Sequence, residues 1–311
     1  MHVRLERGRQ LATYLVVRVF ICIVQTLPME TCQRLAGLLA TLCCDIVGIR
    51  RRVVEDNLRH AMPRLSIEQR RELARRMWRH LFLLVAEVAH APRKIHETNW
   101  RQFVRLDRSD MLVRALLDDR PLLLVSGHFG NFELAGFILG ILGFPTYTVA
   151  RTLDNPYLDA FVNRFRGATG QHIVPKNGGY EQILSVLRQG GTMSFLADQY
   201  AGSKGCWVNF FGRPASAHKA IALFALDNNA PLVVGYARRL DKPLQYELSV
   251  QDMADPQCLP ADQRGIHELT QRYTAGLEAI ISRHPDQYWW LHDRWKDKRG
   301  VRSRRRNPKA A

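Results

Sequence analysis

Leu122-Leu-Leu-Val-Ser-Gly-His128-Phe-Gly-Asn-Phe-Glu133-Leu-Ala-Gly136 is the stretch on which the fold turns. An apolar run breaks at a glycine, a histidine and a second glycine. A carboxylate follows, and an apolar helical pattern begins. This is the pattern of a buried strand, a tight turn and a helix start. On an unbroken helix, residues five apart point about 140° from each other. His128 and Glu133 therefore meet only if His128 lies in the turn and Glu133 in the first helical turn, with Asn131 near the cap. Gly127 and Gly130 permit unusual backbone angles and close approach of a substrate. A carboxylate near a helix N-terminus is favoured by the dipole and stays ionised. Hydrogen-bonded to one imidazole nitrogen, it would fix the tautomer and favour the ring as a general base. The plain alternative is a polar histidine in a structural turn.

Outward from this stretch, strands and helices alternate. Strands are predicted at Pro121 to Ser126, Thr146 to Ala150, His172 to Pro175, Thr192 to Ala197 and Pro231 to Ala237, with Gln245 to Val250 as an edge strand. Helices are predicted at Phe132 to Leu142, Tyr157 to Arg166, Tyr180 to Arg188, Ala217 to Asp227 and Gln263 to Ser282. The fold class is α/β, a mostly parallel sheet flanked by helices. In such sheets ligands bind beyond the C-terminal strand ends. Gly127-His128, Arg151 and Asp198-Gln199 all fall there, which predicts one shared pocket.

Upstream, Leu11 to Leu27 is apolar but interrupted by Arg18 and Gln25. It is short for a membrane span and carries a charge in its middle. Leu35 to Ile49 is shorter still and contains Asp45. Residues 1–49 are expected to associate with a membrane through an anchor helix, oblique or interfacial, with its basic end cytoplasmic. A buried helical hairpin is the alternative. Ser66-Ile-Glu-Gln69 fits a capping box for a helix running to about Ala89. Leu73, Met77, Leu81, Leu84, Val85 and Val88 make its core stripe, and Arg70, Arg71, Arg75, Arg76 and Arg79 its basic face. Gln287 to Lys296 holds three tryptophans and a tyrosine beside basic residues, suited to a membrane interface or to the core. Residues 298–311 form a basic tail expected to be disordered and drawn to anionic lipid.

The chain has 311 residues and a formal net charge of +16. Such a surface suits phosphates, anionic headgroups or an acidic carrier protein. Nucleic acid rests on charge alone, without a zinc-finger, RNP-like or basic-zipper pattern, and is not expected as a partner. The six cysteines show no Cys-x-x-Cys, so neither a structural zinc site nor a redox pair is expected, and the thiols should be reduced.

With these residues set out, the chain resembles the late acyltransferases of bacterial lipid A biosynthesis, the lauroyl- and myristoyltransferases. The resemblance lies in Asn57-Leu58, Gly127 to Glu133, Arg151-Thr-Leu-Asp-Asn-Pro-Tyr-Leu158, Arg164-Phe-Arg-Gly-Ala-Thr-Gly170, Asp198-Gln199 with Val208 to Ala215, and Gln287 to Lys296. The second aromatic of the histidine block, often tryptophan in that family, is here Phe132. The resemblance implies a glycerolipid-acyltransferase-like fold at the cytoplasmic face of the inner membrane. It implies acyl transfer from acyl carrier protein or coenzyme A to a hydroxyl of a lipid A precursor, with no cofactor beyond that thioester co-substrate and no metal. His128 would act as general base and Glu133 would orient it. Backbone amides of the turn, or an arginine, would stabilise the oxyanion. Arg151, Arg164 and Arg166 would bind phosphates, Asp198 would hold one of these arginines, and Asn131 would belong to the substrate site. Acylation of another glycolipid or a lysophospholipid, or lipid or nucleic-acid binding without catalysis, are the alternatives.

Overall fold

The computed structural model describes residues 2–296, with side chains from Leu5 onward. The expected tail, 298–311, lies outside the described residues. Helix α1 (His2–Thr26) is followed by α2 (Met29–Thr41), which passes into one π-helical turn, Leu42–Val47, ended by left-handed Gly48. Helix α3 (Arg51–Ala61) leads to α4 (Ile67–Lys94). Ser66 caps α4 as its sequence predicts: its hydroxyl accepts from the Gln69 amide, and the Gln69 side chain accepts from the Ser66 amide. The helix runs past Ala89 because Pro92 falls in its last turn, near the end where a missing ladder bond costs little. Leu73, Met77 and Leu84 are buried as expected, Leu81 and Val88 half-buried, and Val85 is exposed.

Seven strands form the main sheet: β1 (Val104–Asp107), β2 (Leu122–Ser126), β3 (Thr146–Ala150), β4 (Gln171–Pro175), β5 (Thr192–Leu196), β8 (Leu232–Arg239) and β9 (Tyr246–Ala254). A separate hairpin joins β6 (Cys206–Phe210) to β7 (Arg213–Ala217). The sheet order is β1-β9-β8-β2-β5-β3-β4. Every pairing is parallel except β8 with β9. The remaining helices are α5 (Asp110–Leu116), α6 (Phe132–Ile141), α7 (Pro156–Gly167), α8 (Tyr180–Arg188), α9 (Lys219–Asp227) and α10 (Ile266–Arg283).

The expected edge strand, Gln245 to Val250, is instead interior. β1 covers its outer side, a four-residue strand whose Val-Arg-Leu-Asp sequence carries no sustained apolar signal. Alternation along β2 divides the layers. Leu123 and Val125 join the core that contains residues of α8, α9 and α10, while Leu124 and Ser126 line a pocket on the opposite face, walled by α5 and α6.

The N-terminal helices lie against this body. Arg18, the charge inside the apolar run, stacks 4.6 Å over the Phe161 ring of α7. Tyr14 meets Tyr157 and Phe161, and the Asn155 side chain donates to the Gln10 carbonyl. Leu11, Leu15, Val16, Val19, Phe20 and Ile23 remain exposed on the other side. Among the described residues, Leu5–Thr26 is one helix long and apolar enough to cross a membrane. In α2, Met29, Cys32 and Ala36 pack into the core beside Leu83, Ala86 and Ala91 of α4.

Candidate active site

The turn after β2 carries His128. Strand β2 pairs in register with β5, Ser126 against Leu196, so two residues further on His128 faces Asp198. The Asp198 carboxylate meets His128 at two points. The imidazole Nδ1 lies 2.8 Å from one oxygen and the His128 amide donates to the other at 3.0 Å. Gly127 makes room for this approach: a Cβ there would sit 3.2 Å from Cβ and Cγ of Asp198. Asp198 is buried, and burial alone would raise its pKa. The charge and hydrogen bonds of His128 outweigh burial and bring it down to about 2. An ionised carboxylate only accepts, so Nδ1 carries the proton and Nε2 keeps its lone pair. Burial works against the charged imidazole, but Asp198 and then Glu133 raise the His128 pKa above its ordinary value.

The carboxylate hydrogen-bonded to the imidazole is therefore Asp198, where Glu133 was expected. Glu133 does lie in the first turn of α6, close enough for its charge to act on His128, but its carboxylate forms a bidentate pair with Arg166. Nε donates at 3.0 Å and Nη2 at 2.5 Å. The fork geometry of a guanidinium matches a carboxylate better than a single imidazole nitrogen does. Asp198 accordingly holds His128 and none of the three arginines. Arg151 leaves the site for the following loop, pairing with Asp154 in solvent. Arg164 is exposed on α7, one residue on each side of it being half-buried. Arg166 and Glu133 both line the pocket under α6.

Asn131, expected to belong to the substrate site, has its side-chain groups engaged within the protein. It is fully buried, its Oδ1 caps α6 by accepting from the Leu134 amide, and its Nδ2 donates to the Tyr246 hydroxyl and to Glu87. The backbone amides of the turn are engaged too. Phe129 donates to the Gly127 carbonyl, Gly130 to Gln287 and Asn131 to Ala237. Gly130 is left-handed, and a Cβ there would lie 1.9 Å from the Ala237 carbonyl oxygen.

Beneath the turn lies a buried network with no signal in the local sequence. Glu87 on α4 and Arg239 at the end of β8 form a bidentate pair at 2.7 and 2.6 Å. Arg239 also donates to His80 Nδ1, and His80 Nε2 meets the Gly130 carbonyl at 3.0 Å. Burial and the adjacent Arg239 hold the His80 pKa well below its ordinary value, so the ring is neutral and donates to Gly130. The C-terminal aromatic block closes the other side. Tyr288, Trp290 and Trp295 are buried in the core, not spread on a surface. The Trp289 amide donates to the His128 carbonyl, and its ring stands edge-on 5.4 Å from the imidazole.

The pocket beside this turn runs between the sheet and helices α5 and α6. It is lined by Leu124, Leu196, Leu248, Leu112, Leu116 and Leu139 among others, with Phe132, Glu133 and Arg166 also in the lining. It spans all of β3 from Thr146 to Ala150, roughly 13 Å at the rise of a strand. No group of three or more metal-ligating side chains occurs among the described residues.

A mixed, mostly parallel sheet with a His–Asp pair at a strand end and an apolar pocket alongside defines an α/β enzyme acting on a partly apolar substrate. A sequence model of the bacterial lipid A biosynthesis acyltransferases matches residues 3–297, so the chain belongs to that family and is an acyltransferase. It is 25% identical to the lipid A biosynthesis lauroyltransferase of Escherichia coli K12, over 94% of each chain. It is also 25% identical to the palmitoleoyltransferase of the same organism, over 79% of each. A phosphatidylinositol mannoside acyltransferase of Mycobacterium tuberculosis is 25% identical over 71% of this chain and 67% of its own.

Proposed function

We propose that this protein transfers a fatty acyl chain from a thioester donor, acyl carrier protein or coenzyme A, to a hydroxyl of a lipid A precursor, at the cytoplasmic face of the inner membrane. The observation that carries this reading is the His128–Asp198 pair beside an apolar pocket long enough to take an alkyl chain. His128 Nε2 takes the proton of the acceptor hydroxyl as its oxygen attacks the thioester carbonyl. The tetrahedral oxyanion collapses, the carbon–sulfur bond breaks, and the proton passes from His128 to the departing thiolate. Asp198 fixes the tautomer and balances the imidazolium. With the amides of residues 128–131 engaged, oxyanion stabilisation falls to Arg166, which Glu133 holds in the pocket lining. Arg151 and Arg164, both exposed, remain for phosphates of donor or acceptor. The exposed apolar side of α1 supports attachment to the membrane.

The test is mass spectrometry of total lipids from cells lacking or expressing the active protein, with His128→Ala as control. One added acyl chain on lipid A is expected, with the rate in His128→Ala down by about 10² or more. Undiminished acylation by a folded His128→Ala protein would refute the mechanism. A second acceptor class is favoured by the likeness to the phosphatidylinositol mannoside enzyme. If the added mass appears on another glycolipid, that reading holds and the lipid A assignment falls.

A further inference from the structure

A second polar site lies away from the active site, where α2 crosses α4. Gln33, Arg34, Gly37 and Ala40 of α2 and Glu72, Arg75, Arg76 and Arg79 of α4 line one open groove. Two of its charges are spent on each other: Arg75 pairs with Glu72, and also with Asp45 at 2.8 Å. Asp45, the one carboxylate in the π-helical turn, is tucked down and further held by Arg71. Burial would raise its pKa, but hydrogen bonds from Arg75 and Arg71 keep it lowered and ionised. Arg34, Arg76 and Arg79 are exposed, and none has a hydrogen-bond or ion-pair partner among the described residues. Three uncompensated guanidinium groups around one depression make a site for an anion, and their fork geometry suits phosphate.

The groove has an apolar border. Leu35, Leu38 and Leu39 are exposed on α2, and Leu42, Ile46 and Val47 continue the strip on the π-helical turn. At about 100° per residue, Arg34 stands between the groove-lining side of α2 and this strip. An exposed apolar patch of this kind marks an interaction surface. Its charge complement, unpaired guanidinium groups beside an exposed apolar strip, selects a lipid surface as the occupant, and the neighbouring α1, whose Gln25 donates to the Ala89 carbonyl of α4, also carries exposed apolar residues. We propose that this groove binds the phosphate headgroup of an anionic phospholipid, with the apolar strip resting among the acyl chains. The protein then meets the bilayer at two places, α1 and the α2–α4 groove. The proposal does not depend on the chemistry assigned to His128.

The test titrates dihexanoyl phosphatidylglycerol into the full chain in a non-ionic detergent, followed by calorimetry. Saturable binding is expected, with dihexanoyl phosphatidylcholine and inorganic phosphate binding at least about tenfold more weakly, on the scale of one to two surface charges. The triple variant Arg34→Ala/Arg76→Ala/Arg79→Ala should lose at least the same factor. Gly37→Leu should do likewise with every arginine present. A Cβ at Gly37 meets nothing within 4 Å, and leucine favours the helix, so this variant adds bulk to the groove lining without a clash at its first side-chain atom. His128→Ala should bind as the parent does, separating this site from the catalytic pocket. Equal affinity for phosphatidylcholine or inorganic phosphate would overturn the proposal. So would unchanged binding in either groove variant, or arginine-dependent capture of an acidic carrier protein with lipid binding unaffected.

Discussion

Asp198 acts on His128 through two atoms at once, and this bears directly on what a substitution there would do. One carboxylate oxygen faces the ring nitrogen and the other faces the backbone amide. In Asp198→Asn only one of these can meet an oxygen, and the other donor faces an amide NH₂. Either the ring loses its tautomer or the turn loses its anchor, and the maximal rate is expected to fall by about 10² or more with the fold retained. Glu133 touches the same imidazole only through its charge, which helps raise the His128 pKa. His128 is a base only when neutral, so activity should rise with pH through that raised pKa. Glu133→Gln removes the negative charge and leaves Arg166 uncompensated, and both effects lower the His128 pKa. The acidic limb of the kcat/KM profile should move to lower pH. A limb that stayed in place or moved upward would contradict this account. The sequence placed His128 in the turn after β2 and Glu133 in the first turn of α6. It misassigned their partners because five-residue spacing fixes proximity, not pairing. The residue opposite His128 is set by the β2–β5 register, a long-range fact. Asp198 stood at the correct strand end, but nothing local distinguished an imidazole partner from an arginine.

Among the elements, α4 is the one that sequence described best and explained least. Its capping box and apolar stripe are local patterns and were readable. Its buried Glu87 and His80 were not, since their meaning depends on Arg239, more than 150 residues away. The end of β8 delivers Arg239 to α4, and the Arg239 backbone in turn exchanges two hydrogen bonds with the Gln287 side chain. The network thus ties a helix, a strand and the C-terminal block to the carbonyl of Gly130. Glu87→Ala leaves the Arg239 guanidinium buried and unpaired, and should destabilise the protein by about 3–5 kcal/mol in chemical denaturation. Replacing both partners, Glu87→Leu with Arg239→Met, should recover much of that loss, because no lone charge remains buried. A double variant as unstable as the single would show that the cost lies in packing. The same long-range dependence explains β9. Its apolar pattern was legible, but its interior position depends on β1, too short to announce itself.

At the scale of the whole molecule, the candidate site is closed by residues far apart in the chain. Asn57 on α3 is buried and uses both hydrogens of its amide, donating to the carbonyls of Trp290 at 2.8 Å and His292 at 2.7 Å. His292 then accepts from the Tyr200 amide just beyond Asp198, and Arg294 donates to the Ser216 carbonyl of β7. Trp289, within the same block, holds the His128 carbonyl. The aromatic block was readable as either surface or core, since aromatic rings beside arginines suit both. What fixes it in the core is this backbone pairing, which has no compositional signature. Asn57→Ala leaves two carbonyls without donors, and a stability loss of about 1–3 kcal/mol is expected from unsatisfied groups of this kind. The more informative consequence is catalytic. Loosening the block frees Trp289 and the His128 turn while the residues lining the apolar pocket stay in place. At a temperature where the variant is still fully folded, kcat should fall with little change in KM for the acyl donor. A loss confined to KM, or a stability loss with kcat untouched, would mean that the C-terminal block only covers the core and does not hold the catalytic turn.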